Sequence, residues 1–106
     1  HHTEELLDST RALIEQNLQR LTSVLNAYPD ILQWDAPDAG CVAYPRLTDG
    51  SDAWNFALRL LDRTGVMVVP GQCFMAGDAH FRVGFGREDF RPALERFADY
   101  LDSLRP

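Results

Sequence analysis

Two short apolar runs near the C-terminal end, each closed by glycine, constrain this chain most: Val66-Met67-Val68-Val69-Pro70-Gly71 and His80-Phe81-Arg82-Val83-Gly84-Phe85-Gly86. β-Branched and aromatic residues at this density favour strands, and Pro and Gly bound them. Residues 66–69 read as a strand covered on both faces. In the second run Phe81, Val83 and Phe85 share one face, and Arg82, Gly84 and Gly86 the other. The first face can build a core. The second holds a guanidinium on a rigid element, and its planar fork suits a carboxylate or a phosphate. The two glycines are expected to clear space for a close neighbour.

The other elements follow from helical and strand periodicity. Thr3-Glu4-Glu5 predicts a helix start, with a capping hydroxyl and two acids in the first turn. Leu7, Ile14, Leu18, Leu21, Leu25 and Tyr28 recur on one stripe until Pro29. Such a helix of about 26 residues spans roughly 39 Å. That exceeds the roughly 26 Å given by twice the radius of gyration of a 100-residue domain, so the helix should overhang, and the chain reads as a fragment. Residues 31–34 and 41–44 read as a hairpin around the turn-rich 35–40, with Pro45 ending the second strand. Asp52 predicts the N-cap of a helix through Trp54, Ala57, Leu58, Leu60 and Leu61, which Gly65 ends. Glu88-Asp89 caps a last helix whose stripe is Phe90, Leu94, Phe97, Leu101 and Leu104. The order is α-β-β-α-β-β-α. The expected fold class is α+β, a two-layer α/β sandwich with a four-stranded, mainly antiparallel sheet and helices on one face. The face carrying Arg82 is left to line a crevice.

Charge and composition narrow the function. The formal net charge of −6 should repel phosphate backbones and anionic lipid, so this region is expected to bind neither nucleic acid nor membrane. No apolar run approaches the roughly 20 residues of a membrane span. Residues 1–2 read as a tag remnant and 3–106 as one domain. Cys41 and Cys73 read as reduced thiols in a cytoplasmic protein. All ten basic residues are arginine and none is lysine, which removes Schiff-base chemistry from what these residues do unaided. Asp49, Asp52 and Asp78 lack the alternation of a calcium loop. His80 reads as a plain strand-end residue, and Trp34, Trp54 and Phe97 as core. For Arg82 the plain alternative is an internal ion pair with one of the sixteen acids. These features alone specify no reaction.

A resemblance does. The run Gly65-Val66-Met67-Val68-Val69-Pro70-Gly71-Gln72-Cys73-Phe74, followed by His80-Phe81-Arg82-Val83-Gly84-Phe85-Gly86, resembles the C-terminal small domain of class I/II aminotransferases, pyridoxal-phosphate enzymes of fold type I. The family pattern is G-V-x-V-x-P-G-x-x-F, then a strand with arginine before an apolar residue. Pro37-Asp38-Ala39-Gly40-Cys41-Val42 resembles the family's Pro-x-Gly-Gly strand entry, with Ala39 in place of the first glycine. The resemblance implies that Arg82 binds the substrate α-carboxylate, and that Gly40, Pro70, Gly71 and Phe74 line the active site. It implies amino acid and 2-oxo acid substrates, amino-acid metabolism, a homodimer and an N-terminal large domain of the same protein. Pyridoxal phosphate and its lysine would belong to that large domain, so the chain alone is expected to bind no cofactor and to be inactive. Two other readings stay open. One is an aminotransferase-like sensor behind the DNA-binding head of a transcription regulator, which a winged-helix pattern upstream would reveal. The other is a stand-alone carboxylate-binding module, which calorimetry against amino acids and 2-oxo acids would reveal.

Overall fold

A computed structural model describes residues 2–37, 40–75 and 77–105. Its elements run α1 (His2–Asn26), β1 (Leu32–Gln33), β2 (Val42–Ala43), β3 (Arg46–Leu47), α2 (Ala53–Thr64), β4 (Val69–Pro70), a short 3-10 turn (Gly71–Cys73), β5 (Phe81–Gly84) and α3 (Phe90–Ser103). Helices and antiparallel strands are mixed, so the α+β class holds, with five named strands where four were expected.

Proline explains the extra strand. β2 pairs with β5 as Val42 to Gly84 and Ala43 to Val83, and a bridge joins Arg46 to His80. These pairs share one antiparallel register, in which Tyr44 faces Arg82 and Pro45 faces Phe81. The Phe81 N–H donates to the Pro45 carbonyl at 3.0 Å, but Pro45 has no N–H to return the bond. One strand track is therefore cut into β2 and β3. The expected hairpin between 31–34 and 41–44 is corrected as well: Leu32 and Gln33 pair with Leu47 and Arg46. This register puts Leu32 and Leu47, both almost fully buried, on the same inner face. The order across the sheet is β1, the β2–β3 track, β5, β4.

Residues 66–69 do not form a strand covered on both faces. Only Val69 and Pro70 join the ladder, at an edge, opposite Arg82 and Phe81. Val68 is buried, whereas Met67 is 72% exposed.

The helices close the other layer. Asp52 caps α2 by accepting from the Asn55 N–H at 3.1 Å. Gly65 ends it at φ 76°, a conformation that costs a residue with a side chain. The buried stripe of α2 is Ala53, Phe56, Ala57 and Leu60; Trp54, Leu58 and Leu61, expected inside, are exposed. Helical periodicity allowed either stripe. The small Ala53 and Ala57 bring the helix close enough for Phe56 to stack on Phe81 at 5.1 Å. Phe97 and Tyr100 of α3 meet Phe56 edge-on at 6.4 and 5.9 Å. In α3 the expected stripe holds, with Tyr100 added and Leu104 exposed. Asp89 makes no capping bond, because Arg87 takes both its oxygens, at 2.9 and 3.0 Å.

α1 begins one residue before Thr3, whose side chain lies outside the described set. Leu21 and Leu25 are buried, but Leu7 is 57% exposed, so the N-terminal half runs past the core as expected. The overall extents, 50 × 28 × 23 Å, reflect that overhang. Asn17, 1% exposed, ties α1 to the end of β5: its Nδ2 donates to the carbonyls of Phe85 and Arg87, each at 2.9 Å.

Candidate functional site

Strand alternation builds the site. The shared register places Tyr44, Arg82 and Val69 in one row across the outer face of the sheet, with Val42 beside Gly84 and Arg46 beside His80. Phe81 and Phe85, on the inner side of the same strand, are fully buried.

The loop after β4 places a ring over this row. The Gly71 N–H donates to the His80 carbonyl at 2.6 Å, and the Phe74 N–H to the Gly71 carbonyl at 3.0 Å. Gln72 Nε2 donates to Asp52 Oδ1 at 2.8 Å, which fastens the loop to the start of α2. Phe74 thereby lies against Arg82, with the guanidinium carbon 5.3 Å from the ring centroid. Tyr44 packs on Phe74 as well, with ring centroids 5.7 Å apart and planes tilted by 60°. The chain then turns away through Met75, at φ 59° and 97% exposed.

The Arg82 residue is half-buried and, among the described residues, its side chain makes no hydrogen bond or ion pair. The ion pairs of the described residues use Arg11, Arg87, Arg91 and Arg105 instead. The internal ion pair weighed as the plain alternative is therefore not formed within that set. A guanidinium placed over an aromatic ring and bonded to no internal oxygen has donors to offer a planar anion.

The other expected site residues are distributed unevenly. Pro70 and Gly71 begin the loop that carries Phe74, and Gly71 is buried. Gly40, at φ 83°, lines a separate crevice with Asp35, Pro37, Cys41 and His80, and meets the arginine row only through Tyr44. The unusual Ala39 lies outside the described residues. Of the paired glycines, Gly84 faces open space, whereas a Cβ on Gly86 would come within 3.1 Å of the Cys41 side chain. Gly86 therefore admits Cys41 rather than opening the crevice. Both cysteines are free. A cavity of about 130 Å³ between β5 and α3, lined by Val66, Val83, Phe90 and Phe97, does not include Arg82. Tyr44 is the residue that sequence reasoning passed over. Its signal was the alternation from Val42, which puts both on one face.

Comparison with known proteins places these features in a family. The model of aminotransferase class I and II matches residues 1–97. Capreomycidine synthase of Streptomyces vinaceus is 34% identical over 95 residues, covering 90% of this chain and 24% of that protein. A pyridoxal-phosphate-dependent aminotransferase from Streptococcus suis superposes with a TM-score of 0.86 at 26% identity, over 99% of this chain and 28% of that one. A pyridoxal-phosphate-dependent cyclase superposes at 0.84 with 29% identity, over 98% and 29%. The chain thus spans about a quarter of the length of these relatives. The strand, loop and helix pattern, the family match over nearly the whole chain and the shared fold lead to one conclusion: this chain belongs to the aminotransferase class I and II family.

Proposed function

We propose that this chain is the small domain of a pyridoxal-phosphate-dependent enzyme that transfers the amino group between an amino acid and a 2-oxo acid, and that Arg82 binds the substrate α-carboxylate. The observation that carries the reading is an arginine backed by Phe74, with no internal acceptor among the described residues. Its fork would take both carboxylate oxygens, and the strand beneath it would fix where the α-carbon stands. Partial burial strengthens that charge-assisted contact relative to open water.

With no lysine, the residues of this chain would not form the Schiff base that holds the cofactor. We assign that chemistry, and the second wall of the crevice, to the remainder of the protein. Gly40, Pro70, Gly71 and Phe74 would border the opening. The chain by itself would be inactive, and the whole protein a cytoplasmic homodimer of amino-acid metabolism. In the whole protein, Arg82→Ala should cost about 2–5 kcal/mol in kcat/KM for the amino-acid donor. An unchanged kcat/KM would remove the assignment.

One further reading has specific support. The relatives include a synthase and a cyclase, so the parent would bind its amino acid through the same arginine but close a ring in place of passing the amino group on. Product analysis separates the two: a 2-oxo acid from the donor marks transfer, and a cyclic product that keeps its nitrogen marks closure.

A further inference from the structure

We infer that Phe74, braced by Tyr44, is a positioning residue that sets the plane of the Arg82 guanidinium; this rests on the carboxylate-binding reading above. Among the described residues Arg82 has no hydrogen-bonding partner to orient its head. A long side chain without one would sample several rotamers, and binding would cost the entropy of choosing among them. The ring contact at 5.3 Å removes part of that freedom in advance. The ring supplies no hydrogen-bond acceptor of the ordinary kind, so among the described residues the contact leaves the Arg82 head without an oxygen partner that a carboxylate would have to displace.

Phe74 is itself held. Its N–H is bonded to Gly71, the preceding Gln72 is tied to Asp52, and the Tyr44 ring blocks displacement toward the β2–β3 track. Tyr44 stands in register with Arg82 on the same face, so sheet pairing determines the spacing of ring and arginine together. The row also explains a residue the carboxylate reading leaves idle. Tyr44 is 52% exposed and its ring packs on Phe74. The same row extends to Val69, which stands opposite Arg82 on the neighbouring strand.

The test uses the whole protein, with steady-state kinetics on an amino-acid donor for the variants Phe74→Leu, Phe74→Tyr, Arg82→Ala and Arg82→Ala with Phe74→Leu. Leu keeps apolar bulk but has no π face; Tyr keeps the face. Phe74→Leu should raise KM by roughly 5- to 30-fold, the range of a partly desolvated cation–π contact, while kcat falls much less. Phe74→Tyr should restore KM to near the parent value. In the Arg82→Ala background Phe74→Leu should add no further increase, since the ring then has nothing to orient. If Arg82→Ala raises KM but Phe74→Leu does not, the positioning role is wrong and the carboxylate site stands. If Arg82→Ala itself leaves KM unchanged, the carboxylate site is wrong, and the positioning role falls with it. Equal losses from Phe74→Leu in both backgrounds would mark a purely structural ring and overturn the inference.

Discussion

Two arginines in this chain lie on aromatic rings, and they differ in everything else. Arg105 sits 4.3 Å from the Tyr28 centroid and spends its donors on the protein: Nε and Nη2 bond Asp30 at 3.2 and 2.7 Å, and Nη2 also reaches the Ala27 carbonyl at 2.7 Å. Arg82 sits 5.3 Å from Phe74 and spends none among the described residues. The same kind of cation–ring contact thus serves two ends. At the C-terminus it latches the segment after α3 onto the segment that follows α1. On the sheet it holds a cation whose acceptor the chain does not provide. Saturated donors contribute to stability and leave nothing for a ligand; open donors contribute little to stability and are available for binding.

The contrast can be broken or sharpened in order of effect. Phe81 precedes Arg82 on the same strand but faces inward, fully buried against Phe56 and Phe97. Phe81→Ala should cost about 3–5 kcal/mol in chemical unfolding, since it opens a cavity in the aromatic cluster. A loss below about 1 kcal/mol would mean that the inner face is not the core the packing describes.

Arg105→Ala should lower the thermal midpoint modestly at neutral pH, and the sign of its pH dependence is set by Asp30. The hydrogen bond from Arg105 holds the Asp30 carboxyl below its ordinary value. The folded protein therefore binds that proton less readily than the unfolded chain does. The associated stability is present above the ordinary carboxylate range and is lost as pH falls through the depressed folded value. The difference in midpoint between parent and Arg105→Ala should accordingly shrink on acidification. A difference that grows in acid would contradict the latch.

Arg82→Ala should change unfolding stability least, by about 0.5 kcal/mol or less, even though the same change is expected to be the damaging one for catalysis in the whole protein. A large loss of stability would show that Arg82 is a second latch and erase the distinction.

Much of this was legible residue by residue. Asp52 and Gly65 bracketed α2 correctly because both caps act locally: one side chain reaches its own helix, and one glycine adopts a positive φ. Arg82 could be placed on the outer face because strand alternation has a period of two, and Phe81 and Phe85 had to point inward. Trp54, Leu58 and Leu61 were misplaced because two stripes on one helix are equivalent to any periodicity count. Packing against Phe81 chose between them. The β1 pairing was misread because register depends on which leucines meet across the sheet, not on which strands are adjacent in sequence.

By itself the sequence determined the α+β class, the two caps of α2, the inward and outward sides of β5, and the family pattern around Arg82. These depend on short-range sterics, alternation and spacing, which are written into neighbouring residues. Only the tertiary structure decided that Pro45 cuts one strand into two, that Phe74 and Tyr44 converge on Arg82 from separate loops and strands, and that Arg82 finds no acid within the described chain. Those outcomes join residues of different strands and loops, Pro45 with Phe81 and Tyr44 with Phe74 among them, and no local rule counts the cost of bringing them together or of leaving a charge unpaired.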